Sequence, residues 1–306
     1  MIFNKNALVA LAILFLVGGF VEASSPGTSA FSFLKINPAA RSVGMGELTC
    51  VIAAQNSILN PAILPWIENS QLSFQHIKYL QDTSYSLIGY VHTFPNEAAM
   101  NVSVGMLGVK GLTKTEYSAT SAEGYIENGE FVFGDKLINI GYGFRVSRDV
   151  SFGGSLKYVQ ETIETNSVGS ALFSFGGFYF PWATDWQISF GCSNLGTKVK
   201  GFEPPTALFA GAGKQLYPYL FWGVEGISYF DQVTEIRTGV EYNYAHALFL
   251  RAGYKHLLED QKLGELPWID LTAGIGFIYE NFSFDYAWAP YGDLGQAHRV
   301  TMGYTF

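Results

Sequence analysis

The stretch "DKLINIGYGFRVSRDVSFGGSLKYVQETI", residues 135–163, reads as two strands joined at Ser147–Asp149. In the first, Ile138, Ile140, Tyr142 and Phe144 share one face, and Asn139, Gly141, Gly143 and Arg145 the other. In the second, Phe152, Leu156 and Tyr158 oppose Ser151, Gly153, Ser155 and Lys157. Strand side chains alternate between faces, so this hairpin has a charge-free apolar side and a small, polar side. In a soluble barrel the apolar face would fill the core. A Gly- and Ser-rich inner face, with Tyr towards the strand ends of the apolar one, fits a strand whose apolar side meets lipid.

The same period-two pattern continues in both directions. Runs are read at 71–80, 84–94, 99–109, 135–146, 150–163, 168–180, 185–194, 205–214, 220–230, 234–244, 247–257, 268–279, 281–289 and 297–306. They are longer than the ~5–6 residues usual in globular sheets and suit a tilted bilayer crossing of ~9–11 residues. Loop length sorts by parity. Connections at 95–98, 147–149, 181–184, 215–219, 245–246 and at Glu280 are short, while 110–134, 195–204, 258–267 and 290–296 are long. Short turns at one end and long loops at the other are the layout of an outer-membrane barrel. The expectation is an all-β fold, a 14-stranded antiparallel transmembrane β-barrel over residues 71–306.

The last run, "AHRVTMGYTF" at 297–306, puts His298, Val300, Met302, Tyr304 and Phe306 on one face. Left as an edge it would invite aggregation, and pairing with the first strand removes that edge.

Residues 1–23 read as a secretory signal peptide: Lys5, then the apolar run 7–20, then small residues up to Ala23. Residues 24–70 contain two Asn-Pro-Ala tripeptides, Asn37–Pro38–Ala39 and Asn60–Pro61–Ala62. By themselves these read as Pro-fixed turns. The segment is too apolar for a disordered tail, and a barrel of this size has room inside. It is expected to form an N-terminal plug, or hatch, in the lumen.

Charged residues make up 14% of the chain, against ~25% in an ordinary soluble domain. A net charge of −8 argues against a nucleic-acid partner. Cys50 falls in the plug and Cys192 on the outward face between Phe190 and Asn194, so the barrel wall should keep them from bonding. His76, His92, His246, His256 and His298 are scattered, without metal-ligand spacing. The residues therefore imply no cofactor, no metal and no enzymatic activity.

The stretch "FLKINPAARSVGMGELTCVIAAQNSILNPAIL" resembles the N-terminal segment of the PorV/PorQ family of outer-membrane proteins. That family is similar in turn to FadL-type fatty-acid transporters, which carry an Asn-Pro-Ala motif in their hatch. The motif residues here are Asn37, Pro38, Ala39, Arg41, Gly44, Gly46, Asn60, Pro61 and Ala62. "YGDLGQAHRVTMGYTF" resembles the same family's last loop and strand, through Gly292, Asp293, Leu294, Gly295, His298, Arg299 and Phe306. The final aromatic resembles the signal read by the barrel assembly machinery. The resemblance implies a bacterial outer-membrane location among outer-membrane lipid. It also implies two different jobs. One is non-enzymatic binding of the C-terminal domains of secreted cargo in type IX secretion. The other is a FadL-like channel for fatty acids and other hydrophobic small molecules.

The lumen should discriminate between them. Its inward charges are read as Arg145, Lys157, Arg237, Arg251, Lys255 and Arg299 against Glu225, Glu235, Glu241, Asp270 and Asp285. Near-balanced signs suggest ion pairs bracing a plug rather than a charge-selective ring. Asp285 and Arg299 should be diagonal neighbours and pair, and Arg41 should meet a lumen carboxylate. A pocket lined by Phe31, Phe33, Leu34 and barrel aromatics would favour transport. A tightly ion-paired interior with an apolar outer rim would favour partner binding.

Overall fold

The computed structural model describes residues 29–52, 58–80, 82–121, 123–181, 183–231, 234–258 and 270–306. The expected signal peptide lies outside the described residues. Fourteen strands form one closed antiparallel sheet. They are β1 (Gln71–Lys78), β2 (Thr83–Phe94), β3 (Ala98–Tyr117), β4 (Tyr125–Ser147), β5 (Val150–Ile163), β6 (Asn166–Tyr179) and β7 (Trp186–Leu195). After them come β8 (Ala207–Tyr217), β9 (Leu220–Tyr229), β10 (Glu235–Tyr244), β11 (Leu248–Leu257), β12 (Leu271–Tyr279), β13 (Phe282–Pro290) and β14 (Gln296–Thr305). β14 pairs with β1 from Gln71↔Thr305 to Lys78↔His298, so no edge is left open.

The faces divide as the alternation requires. Ile138, Leu156 and Met302 point outward and are 48%, 58% and 51% exposed, while Asn139, Arg299 and Thr301 are buried on the inside. An uninterrupted apolar outer surface of this extent would be untenable in water and is the ordinary exterior of a barrel in lipid. Rings cluster at the tight-turn end: Tyr304 meets Phe306 at 5.1 Å and Phe282 at 4.9 Å, and Tyr219 meets Tyr242 at 5.6 Å. That end is the periplasmic one in this class of barrel.

Two sequence expectations are corrected. Residues 110–134 are not a loop. β3 and β4 continue as a paired hairpin out to Tyr117↔Tyr125, with register shifts after Val109 and Thr113. β2 leaves β3 at Val109, and β5 leaves β4 at Phe133, so the hairpin stands clear of the barrel. Beyond the membrane neither face needs burial, so the alternation fades while main-chain pairing persists. The second correction concerns Asn194. The β6–β7 register slips between Phe173↔Leu195 and Phe175↔Cys192. Asn194 takes φ 58° there and is buried, with its side chain bonded to Lys157 of the inner face. The bulge turns inward a residue that strict alternation sends to lipid.

Residues 29–52 and 58–70 run down the lumen. At the loop end Ala30 donates its amide to the Glu203 carbonyl. A 3-10 turn (Ser32–Lys35), a short helix α1 (Ala40–Gly44) and a second 3-10 turn (Pro61–Trp66) follow. At the turn end the Arg145 guanidinium lies 4.0 Å over the Trp66 ring, and Ser70 accepts a hydrogen bond from the Phe306 amide. Elements this short are held by packing rather than helix propensity.

Two rows of wall glycines make room for this plug. Gly213, Gly223, Gly239 and Gly253 stand side by side across β8–β11. A Cβ on Gly239 or Gly253 would overlap the Met45–Gly46 backbone. Gly143, Gly153 and Gly176 stand side by side across β4–β6. There the close neighbours are the Pro61–Ala62 backbone, at Gly143 and Gly153, and the Asn60 side chain, at Gly176. Gly143, Gly153, Gly239 and Gly253 are thus seats for plug main chain.

Candidate functional site

The plug is fastened by its two Asn-Pro-Ala turns. In each, the Asn side-chain carbonyl accepts the amide two residues on: Ala39 to Asn37 at 3.0 Å, and Ala62 to Asn60 at 3.0 Å. This Asx geometry, followed by Pro or Ala, starts a short helical turn. The Asn amide groups donate to Ser42 at 2.6 Å and to Ser189 of the wall at 2.7 Å. The Asn37 backbone carbonyl accepts from the Arg299 Nε at 2.9 Å, and Thr301 Oγ1 accepts the Ala40 amide at 3.0 Å.

Charges complete the attachment. Arg41 grips Glu241 with both arms, at 2.9 and 2.8 Å. Glu241 also accepts from Arg251 at 2.6 Å, and Arg251 donates to Asp285 at 2.7 Å. Arg299 does not pair with Asp285. Asp285 faces Thr301 as the register implies, but Arg251 takes its carboxylate. Arg299 reaches instead to Asn37, to the Tyr291 hydroxyl at 2.8 Å, and to Glu47 at 3.9 Å. A plug carbonyl in the lumen outcompeted the cross-strand neighbour. Asp270, expected inside, precedes β12 and lies 3.3 Å from the ring of His256.

Of three further anchors, Glu225 and Arg237 were read from the sequence as lumen charges, whereas Glu47 of the plug carried no signal. Glu225 accepts the amides of Thr49 and Cys50 at 2.8 Å each, and the Thr49 hydroxyl at 2.9 Å. Glu47 gathers Lys255 at 3.3 Å and Arg237 at 3.7 Å. It belongs to the plug, outside the spanning strands. Burial alone would raise its carboxyl, but Lys255, Arg237 and Arg299 outweigh burial and hold it down at about 2. Arg237 also donates to the Glu47 carbonyl at 2.9 Å and to Glu235 at 2.6 Å. The plug ties these wall pairs to itself through Arg41 and Glu47.

The remaining motif residues divide. Gly44 packs on Gly274, whose Cα would lie 3.0 Å from a Cβ at Gly44, and Gly46 has φ 72°. Gly292–Leu294 form a 3-10 turn in the last loop, ended by Gly295 at φ 103°. His298 points outward and bonds Tyr286 at 2.7 Å. Cys50 and Cys192 are both free thiols. Among the described residues no group of three His, Cys, Asp or Glu side chains could hold a metal ion.

Between the plug and the wall lies a cavity of about 90 Å³. Leu34, Ile36, Ile58, Leu59, Tyr85, Leu137 and Ile227 give it apolar sides, and Lys157, Asn194 and Arg237 reach it from the wall. Phe31 and Phe33 do not line it. They are buried next to it in a cluster with Ile77, Tyr85, Leu87, Leu107 and Leu137. A second hollow of about 460 Å³ opens at the turn end between Pro65, Ile67, Glu68, Phe94 and Arg145.

No protein-family model matches the chain. No curated relative matches it either. Solved structures do share its fold. The toluene transporter TodX of Pseudomonas putida superposes with a TM-score of 0.57 at 12% identity, over 92% of this chain and 98% of that one. A monoaromatic hydrocarbon channel, CymD, gives 0.56 at 12% identity over 90% and 99%. A Pseudomonas aeruginosa FadL homologue gives 0.52 at 12% identity over 88% and 98%. The chain thus has the FadL/TodX-like outer-membrane fold: a closed 14-stranded barrel with an N-terminal segment.

Proposed function

We propose that this chain is a plugged outer-membrane channel admitting small hydrophobic compounds. The observation that carries the reading is the apolar-sided cavity between plug and wall, adjoining the buried Phe31–Phe33 cluster. Apolar concave sites with a few convergent polar groups are the ordinary form of small-molecule sites. The shared fold with TodX and CymD supports the same class of solute. The test is uptake of labelled toluene by Gram-negative cells that express the chain, against cells with the empty vector. A several-fold faster initial rate is expected; equal rates would sink the reading.

A second reading is a PorV/PorQ-type, cargo-binding component of type IX secretion. It is favoured by the hairpin that projects beyond the barrel and exposes Tyr117, Tyr125 and Ile126. It also draws on the resemblance at the two ends of the sequence. Co-purification from outer membranes in mild detergent tests it. Recovery of secreted proteins with a shared C-terminal domain would support it and count against transport.

A further inference from the structure

The outer face of the barrel is uneven in charge. Towards the loop end of β1 it carries His76 and Lys78, two residues apart and so on one side of the strand. Lys78 stands directly across from His298 of β14. Lys136 of β4 shares a cross-strand row with His76, through Ser86 and Met106. On the outward side of β6 to β13 the loop half has no lysine or arginine among the described residues. The histidine there, His256, lies 3.3 Å from Asp270. Lys78 and Lys136 are both exposed, and neither has a carboxylate partner among the described residues.

The two rings beside Lys78 are fixed and aimed. His76 is bonded through Nδ1 to the Ser86 hydroxyl at 2.9 Å, and His298 through Nδ1 to the Tyr286 hydroxyl at 2.7 Å. With the hydroxyl donating to Nδ1, the proton of each neutral ring sits on Nε2, which has no partner among the described residues. Lys78 adds an ammonium with three donors. The depth fits a headgroup. On β4 the outward residues Phe144, Tyr142, Ile140 and Ile138 are apolar, and Lys136 lies eight positions from Phe144. That is about 26 Å of strand at ~3.3 Å per residue, or about 20 Å across the membrane at a tilt of ~40°, close to the full ~25 Å apolar band. Lys78 is the last residue of β1. This end is the extracellular one in barrels of this class.

We propose that this face holds a phosphate-bearing lipid of the outer leaflet, its phosphate between Lys78, His76 and His298. Its acyl chains lie over the next outward row, where Phe74, Ile88, Val104 and Ile138 are 40–55% exposed. Three separate donors suit a phosphate monoester, which offers three acceptor oxygens, better than a carboxylate, which offers two. The apolar row directly beneath the donors assigns the phosphate to a lipid rather than to a free ion. The site is on the outside of the wall and stands whether or not the lumen conducts.

The experiment is native mass spectrometry of the purified full chain in detergent, with monophosphoryl lipid A and the same lipid stripped of its phosphate. Wild type should retain the phosphorylated form roughly tenfold or more over the stripped one, as charge-assisted hydrogen bonds imply. Lys78→Gln combined with His298→Gln should bring the two within about twofold. Lys214→Gln removes the same charge from the outer face at the turn end, where Lys214 lies over the Trp186 ring, and should keep the preference. Should the double variant fail to fold, Lys78→Gln alone is read in the same way, with a severalfold loss expected. A preference unchanged without Lys78, or lost equally in Lys214→Gln, would overturn the site. Equal retention of the two lipids by wild type would overturn the role of the phosphate. Displacement of the lipid by millimolar inorganic phosphate would give the donors to a free ion and overturn the lipid. Toluene uptake is untouched by each of these outcomes, so the channel reading stands or falls separately.

Discussion

Gly253 shows how closely plug and wall meet, because any side chain there would enter the Met45–Gly46 backbone. Gly253→Val should destabilise the folded barrel by about 3 kcal/mol, the upper range for overpacking, read as earlier unfolding in a heat-modifiability gel series. Glu225→Ala acts oppositely, by subtraction. It strands the amides of Thr49 and Cys50 and takes from Arg237 one of the carboxylates around it, so a loss of about 3–5 kcal/mol is expected by the same measurement. If either variant unfolds with the wild type, the plug is not held as described. At this scale the sequence was legible in part. The two Asn-Pro-Ala turns were visible as turns, but that both are Asx turns, and that the second is seated on a glycine row, was not. Arg299 was visible as a lumen charge. Its partner was not, since a strand-pair rule knows nothing of a carbonyl arriving from residue 37.

Among the elements, the β3–β4 hairpin is the one that owes nothing to the membrane. Its ion pair, Lys114 with Glu164, is exposed, and such pairs contribute little. Replacing residues 111–131 by a two-residue turn should leave the barrel folded, its unfolding midpoint within about 2 °C of wild type. A fall of much more would mean that the hairpin braces the loop end. The strands inside the bilayer were legible because lipid on one side and plug on the other impose strict alternation. The hairpin was not, since water on both sides imposes none. The β7 bulge hid for another reason. One inserted residue reverses every later side-chain direction, and "GCSNL" carries no mark of where the slip falls.

For the whole molecule, plug and barrel should separate with acid. A carboxyl held below its ordinary value stabilises docking at pH above that ordinary value, and the contribution is lost as pH falls through the depressed one. Glu47 is held at about 2 against an ordinary 4.5. Pepsin should therefore leave residues 40–52 uncut near pH 4.5 and begin to cut them as pH approaches 2. Cleavage equal at both values would show that Glu47 does not govern docking. Deleting residues 29–69 should turn a barrel of low conductance into an open pore, seen as large, steady steps in a planar bilayer. Unchanged conductance would mean that the lumen is not occluded by this segment. The barrel itself could be read from loop parity and alternation. The occlusion could only be inferred from leftover apolar sequence, because contacts between plug and wall join residues some two hundred positions apart.

β14 pairs with β1 and shuts the cylinder, and the inner side of the same strand carries Thr301 and Arg299, which hold Ala40 and Asn37. The seam is therefore also the clasp. A barrel whose last strand failed to zip to its first would lose part of its hold on the stopper as well.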